Sequence, residues 1–510
     1  MATPMTQRIV IVGGGTAGWM TAAAFARLLP AGMSITLVES DNISTVGVGE
    51  ATIPHIRYFN QLLGIAEREF IQATQATYKL AIEFVGWGDE SSRYMHPFSA
   101  FGHDLGGIDF HHHWLCARAA LPHLRLDSFS LAAQLAHNGR FAPPPPYADL
   151  GYGYAFHVDA TRYAILLRRY AEKRRVVRCE GTVDYAEQSA DGRLSAVVLE
   201  SGARIEGDFF VDCSGFRSLL LGQAMKVPFT SWKHWLPCDR AIAMASEPLK
   251  TIPSFTRSTA TGSGWQWRIP LQERTGNGQV YASDYLTDDE AFEQLYQALN
   301  SEPVSEPNLL RFEAGCRAQS WKKNCVAVGL SSGFLEPLES TSIYLIQMAI
   351  IKCVEYFPIN GEHSLSESAF NQWMSTEYHR VRDFLILHYH LNRRTDSRFW
   401  QDCAAMSIPD SLQQKIELFR ESACIEQYER GLFAQPSWLA VYLGQGLLPT
   451  GFDSRALQSP QAATAAKLDS MASHLQQLAQ RAPMHGDVIR RGGLSQEGPA
   501  VMSLYGERRG

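Results

Sequence analysis

The sequence predicts an α/β protein: a dinucleotide-binding module of the parallel βαβ type, carrying β-sheet insertions, with a helical subdomain at its C-terminal end. Three observations carry that expectation. An apolar strand, Arg8-Ile-Val-Ile-Val12, runs into Gly13-Gly-Gly15-Thr-Ala-Gly18 and then a helix rich in alanine. Farther on, Arg193 to Phe210 reads as antiparallel strands around a glycine-containing turn. From Ser364 onward the apolar spacing becomes helical, over Phe370 to His390, Ser411 to Leu432 and Ala462 to Arg481. These shifts divide the chain into residues 1–360 and a helical part, 361–510, that closes over the substrate side of the first.

Bulk properties narrow the function. A chain of 510 residues buries a large core, and its net charge of −6 gives no electrostatic case for nucleic acid. No run of about 18 apolar residues predicts a membrane span. The N-terminus reaches a strand at once and lacks a signal-peptide layout, so the expected location is cytoplasmic. Nine cysteines without a CxxC pair fit a reducing compartment, and neither disulfides nor a zinc site is expected.

Taken in order, the first βαβ unit is the best defined. Gly13 permits the tight turn, Gly15 lets the backbone approach a pyrophosphate, and Gly18 lets the helix Trp19–Leu29 pack against the strand. Thr16 and Ala17 complete the turn at the helix N-terminus, which favours phosphate charge. A second strand, Ile35-Thr-Leu-Val-Glu39, ends on an acid at the spacing of a ribose contact. A glycine-rich turn without cofactor would share the first motif but not the whole arrangement.

Val46-Gly-Val-Gly49-Glu50-Ala51-Thr-Ile53-Pro54 reads as a glycine-rich loop closed by an X-Pro step, suited to a mobile segment over a cofactor. Lys79 falls at the end of an expected helix, where most lysines are solvated. His96-Pro97-Phe98 joins a histidine to an aromatic. His111-His112-His113 suggests a metal, but adjacent histidines on a strand point to opposite faces, and no carboxylate spacing supports a site. Pro143 to Pro146 reads as a short polyproline II loop. Trp265-Gln-Trp267-Arg-Ile-Pro270 is a strand with two indoles on one face, stopped by proline. Phe334-Leu-Glu336-Pro-Leu338-Glu339-Ser340-Thr341-Ser342-Ile-Tyr344 could be simply a capped helix start. The tail from Gly492 is polar and glycine-rich, and suits a mobile end.

Two further segments resemble FAD contacts of glutathione-reductase-like (Rossmann) proteins: Asp208-Phe-Phe-Val-Asp212-Cys-Ser-Gly215 and Cys325-Val-Ala-Val-Gly329-Leu-Ser-Ser-Gly333. The second has Leu330 where many such proteins have aspartate. With Gly-Glu-Ala-Thr-Ile-Pro, Trp-x-Trp-x-Ile-Pro and Glu-Pro-Leu-Glu-Ser-Thr, the chain resembles the flavin-dependent halogenases of the tryptophan halogenase-like family, in particular members acting on indole-type substrates other than free tryptophan. That resemblance implies FAD, supplied as FADH2, held by Gly13, Gly15, Thr16, Ala17, Gly18, Glu39, Gly49, Glu50, Ala51, Gly329 and Leu338. It implies that O2 and a halide ion, chloride or bromide, yield hypohalous acid, with Thr341 and Ser342 flanking the halide. Lys79 would meet the oxidant as a hydrogen-bonding cation or as a neutral amine. Glu339 would orient the halogen or take the proton from the ring. Trp265 and Trp267 would form a wall between flavin and substrate. Ile53, Pro54, His96, Phe98 and Ser340 would border the substrate. Glycine is common in the family where Ser342 stands.

The same resemblance implies a small aromatic substrate, no metal, and a separate NAD(P)H-dependent flavin reductase, since no second complete GxGxxG unit occurs. It leaves a homodimer open. Near Phe433–Gly446 the paired tyrosines and acid that grip free tryptophan are absent. Trp438 and Tyr442, one helical turn apart, read equally as core residues. Two other readings share the FAD motifs: a flavin-dependent aromatic monooxygenase, and a flavoprotein that senses or binds without turnover.

Overall fold

Branched apolar residues set the centre of the molecule. In the computed structural model, which describes residues 7–42, 49–144, 151–358, 364–428, 431–494, 500 and 503–504, the strand Arg8–Val12 is buried beyond its first residue. It pairs in parallel with Ser34–Glu39 on one side and Phe209–Asp212 on the other. Val177–Glu180 and Cys325–Ala327 extend the sheet in parallel, and Trp321–Lys322 closes one edge antiparallel. Continuous Val/Ile/Phe runs suit strands covered on both faces. The helix Thr16–Leu28 follows the first strand and lies against the helices Ala160–Glu172 and Ser342–Glu355.

A second, seven-stranded sheet carries the residues of chemical interest. Its order is Asn308–Arg311, Arg240–Ser246, Thr275–Tyr281, Gly264–Pro270, Phe255–Thr261, Ala81–Val85 and Arg93–Pro97. All its pairings are antiparallel except that between Phe255–Thr261 and Ala81–Val85. A small sheet of Gly49–Ala51, Ala155–Asp159 and Thr77–Lys79 lies beside it. The chain passes from the small sheet to the large one at Leu80, whose N–H donates to the Ser254 carbonyl.

Several expectations need correction. Lys79 ends a strand rather than a helix: the helix Glu67–Thr74 stops at Gln75, which is left-handed, and Thr77–Lys79 then pairs with Ala155–Asp159. Tertiary pairing overrides the local helical spacing. The glycine-rich strap, read as a loop, has Gly49–Ala51 as a strand, while Val46, Gly47 and Val48 lie outside the described residues. His111, His112 and His113 sit on the helix Phe110–Ala117, not a strand. The helix expected over Ser411 to Leu432 ends at Ser422, where Ala423 turns left-handed. The antiparallel strands expected over Arg193 to Phe210 occur as Val183–Gln188, Leu194–Leu199 and Arg204–Glu206. Phe209 and Phe210 belong instead to the parallel sheet. Pro145, Pro146, the boundary near residue 360 and much of the tail beyond Gly492 lie outside the described residues.

The other C-terminal helices are Ser364–His390, Arg398–Ala405, Gln435–Gly444, Gln461–Arg481 and His485–Arg490. One apolar core runs from Ile9 and Trp19 through Trp265 to Phe384, Trp438 and Leu475, so the helices share the core of the sheets. Trp438 and Tyr442 are core residues, packed on Phe384 and Phe419 respectively. None of the nine cysteines is bridged. Among the described residues no helix is long and apolar enough to cross a membrane.

Candidate active site

The glycine turn opens on a cavity of about 410 Å³ at the carboxyl ends of the parallel strands. Three of its glycines are required by close approach. A Cβ on Gly13, whose φ is +111°, would lie 2.2 Å from the Cys213 carbonyl oxygen. One on Gly14 would meet Glu39, and one on Gly18 would lie 1.8 Å from the Gly13 oxygen. The bare backbone at Gly13–Gly15 leaves the helix N-terminus facing the cavity, an anion-favouring end. Gly13, Gly15, Thr16, Ala17 and Glu39 line this cavity, as do Gly49, Glu50, Ala51 and Leu338. Gly18 lies beneath it. Gly329, also left-handed, abuts Ala17, and Leu330 lines the cavity in its place. Glu39 is already engaged: its Oε1 accepts from Arg178 Nε at 2.6 Å and its Oε2 from Trp19 Nε1 at 3.3 Å. Burial raises the Glu50 carboxyl to about 7.

Trp265 and Trp267 occupy one face of Gly264–Pro270, as the alternation requires, and both line the cavity. Their ring centroids are 6.1 Å apart. Behind Trp265 stands Trp87, tilted against it, and behind Trp87 stand Trp400 and Tyr389 in edge contact, a chain of rings that backs the wall. Gly278 on the neighbouring strand permits it: a Cβ there would come within 2.0 Å of the Trp267 ring. That glycine carried no signal in the sequence. Close to the same wall lies Glu336, wholly buried, its carboxyl raised to about 7 by burial and both its oxygens without a hydrogen-bond partner.

Lys79 is fully buried. Its Nζ donates to the Thr52 carbonyl at 3.0 Å and to Ser340 Oγ at 2.8 Å. Thr52 is itself clamped, since its N–H and hydroxyl both reach the Phe156 carbonyl. Lys79 therefore ties the strap to the Glu-Ser-Thr segment. Burial lowers its ammonium to about 7, against the opposing pull of Glu339. Ser340 is left-handed (φ 59°) and lines the cavity, so one residue touches both the cavity and the lysine. Phe98 lies with its ring centroid 5.2 Å from Nζ. Ile53 and Pro54 continue directly from Thr52 and are buried.

Glu339 is buried between two histidines. His96 Nδ1 lies 2.9 Å from Glu339 Oε2, and His96 Nε2 lies 2.7 Å from Ser437 Oγ. His388 Nε2 approaches Glu339 Oε1 to 2.9 Å, off the line of an ideal hydrogen bond. His388 Nδ1 is 2.8 Å from the Phe384 carbonyl, which can only accept, so Nδ1 carries a proton. Burial pushes the Glu339 carboxyl up, but His96 and His388 outweigh it and hold it at about 2. His388, in the last turn of Ser364–His390, was missed in the sequence; only a histidine on an apolar helical face could have flagged it.

Thr341 is buried with its hydroxyl unpartnered and precedes the helix Ser342–Glu355, while Ser342 lines the cavity. Their N-terminal position leaves free N–H groups and positive potential for an anion. Among the described residues, Asp109, His111 and His112 bring donor atoms within 4.8 Å of one another. His112 Nδ1, however, accepts the Asp453 N–H, which leaves its proton on Nε2. His111 Nε2 faces the Ala423 carbonyl and Asp109 takes the Gln435 amide, so these groups are already committed.

Comparison with known proteins gives the family. The family description Tryptophan halogenase matches residues 8–461. The chain is 38% identical, over 88% of its length and 91% of that protein, to tryptophan 6-halogenase SttH of Streptomyces toxytricini. Among solved structures it is similar to BrvH, a flavin-dependent halogenase from Brevundimonas sp. BAL3, with TM-score 0.91, 43% identity and coverage of 96% of this chain and 100% of that one. Xcc4156, a flavin-dependent halogenase from Xanthomonas campestris, matches with TM-score 0.93, 43% identity and coverage of 97% and 100%. A match running through the glycine turn, the tryptophan wall and the lysine–glutamate pair leaves one conclusion: the chain belongs to the tryptophan halogenase family of flavin-dependent halogenases.

Proposed function

We propose that this enzyme halogenates an electron-rich aromatic ring, an indole or a related compound, with chloride or bromide as the halogen source. The observation that carries the reading is Lys79: a buried ammonium held between Thr52 and Ser340, on the far side of Ser340 from the cavity. The glycine cradle fits FAD, because Gly13 and Gly14 pack against Cys213 and Glu39 with no room for a side chain and so present bare backbone along the cavity. Gly13 to Ala17 would hold the pyrophosphate, with Gly18 and Gly329 as close-packing supports. Gly49, Glu50, Ala51 and Leu338 would border the ring system. Reduced FAD and oxygen, when present, supply the two-electron oxidation of halide to hypohalous acid.

The chain's own residues do the rest. Thr341 and Ser342 bind halide through helix N-terminal N–H groups. Trp265 and Trp267 keep the organic ring off the flavin side. Lys79 has two hydrogens committed, so its third position meets hypohalous acid as an N–H donor or, once deprotonated, as a lone pair. Glu339, held anionic by His96 and His388, faces the charge that develops on the ring and accepts its proton. Phe98, Ile53, Pro54 and the edge of His96 border the ring, and the C-terminal helices close that side. A separate NAD(P)H-dependent reductase supplies reduced flavin.

Incubation with a flavin reductase, NADH, FAD and chloride or bromide, followed by mass spectrometry over indoles and phenols, tests this. Halogenated products are expected. Hydroxylated products formed without halide would establish the monooxygenase reading instead.

A further inference from the structure

The reverse face of the tryptophan wall presents a different chemistry. Along one row of the large sheet, Glu83, Arg257, Arg268 and Asn277 stand directly opposite one another on four adjacent strands. Like charges in direct cross-strand register are destabilising unless something neutralises them. Glu83 does so only in part. It pairs with Arg257 at 2.6 Å, yet it is shared with Arg93 at 2.8 Å. Arg268 has no carboxylate among the described residues. Its Nη2 donates to the Ala298 carbonyl at 3.1 Å, and its Nε is buried without a partner. Burial and the like charge of Arg257 both press its guanidinium toward deprotonation.

A cavity of about 300 Å³ opens on this face. Arg257, Arg268 and the exposed Lys250 line it, and no acidic residue does. Leu249, Pro253 and Phe255 form an apolar side. Trp267, next to Arg268 in the chain, faces the opposite way into the cofactor cavity, so the two cavities are distinct.

We infer that this pocket binds a small organic phosphate monoester, its dianion seated on Arg257, Arg268 and Lys250 and its carbon skeleton against Phe255 and Pro253. Paired guanidinium groups match phosphate geometry, and a surplus of more than one positive charge favours a dianion over a monoanion. The apolar side accounts for a space larger than an inorganic ion needs. Occupancy would neutralise the arginine row and stiffen the strand that carries the wall.

The test is calorimetry on the full chain saturated with FAD, so that the pyrophosphate site is filled, at constant ionic strength. The probe is phenyl phosphate, with benzoate as the monoanionic comparison. Phenyl phosphate is expected to bind the wild type more tightly than benzoate does. Arg268→Gln and Lys250→Ala should each weaken it about tenfold or more, with FAD affinity unchanged. Lys250 is exposed, so its variant remains informative if Arg268→Gln fails to fold. Absence of phenyl phosphate binding at millimolar concentration would overturn the inference. So would equal binding of benzoate, or indifference to Lys250→Ala and, where it folds, to Arg268→Gln.

Discussion

Lys79 Nζ donates to Ser340 Oγ at 2.8 Å, and through that contact a buried cation is joined to the residue that borders the cofactor cavity. Burial lowers the lysine's ammonium, and a hydroxyl that accepts from the charged form works against that shift. Ser340 both lines the cavity and touches Lys79.

Removing that acceptor should therefore move a pH profile. Ser340→Ala costs the ammonium a hydrogen bond worth roughly 1.5–3 kcal/mol, so the limb near pH 7 assigned to Lys79 should shift to lower pH by roughly one unit. The check is kcat/KM against pH for both proteins. A limb that stays in place would detach Ser340 from the lysine.

The histidine pair makes a separate prediction. Glu339 has its folded carboxyl depressed to about 2. Its contribution to stability is present above the ordinary carboxyl range and is lost as pH falls toward 2. His388→Leu removes one depressing partner, so acid unfolding followed by circular dichroism should begin at higher pH. Halogenation should fall about tenfold to 10²-fold, with the acid limb of activity moving upward. An unchanged acid midpoint would leave His388 a packing residue only.

Gly278 tests the wall without touching either tryptophan. Gly278→Ala places a methyl within 2.0 Å of the Trp267 ring, costing roughly 1–3 kcal/mol of stability. The displaced indole should lower halogenated product formed per NADH consumed and raise peroxide release. Trp267→Phe should reproduce the effect more mildly. Coupling equal to wild type in both variants would mean that the wall has no such role.

These contacts show what was legible in the sequence. Gly13–Gly18, Trp265–Pro270 and Phe334–Tyr344 announce themselves because each requires special backbone or a rare residue pattern. The strand containing Lys79 did not, since its pairing partner Ala155–Asp159 is distant in the chain. His388 was invisible for a similar reason: its neighbour Glu339 is brought to it by packing of the long helix Ser364–His390. Gly278 is informative only beside an indole, and Ala423 ends a helix that composition alone would continue.

Substrate preference follows from Phe433–Gly446. Trp438 and Tyr442 are spent on the core, and no tyrosine pair with an acid is present there to grip an amino acid. Steady-state kinetics should give a lower KM for indole than for tryptophan. A tryptophan KM far below that of indole would contradict the absence of a clamp.

The most direct test is Lys79→Ala, assayed with reductase, NADH, FAD and bromide on an indole. The account predicts loss of halogenation by 10²-fold or more, with FAD affinity and peroxide formation retained, since Lys79 does not line the cofactor cavity. A variant that halogenates at the wild-type rate would contradict the central assignment.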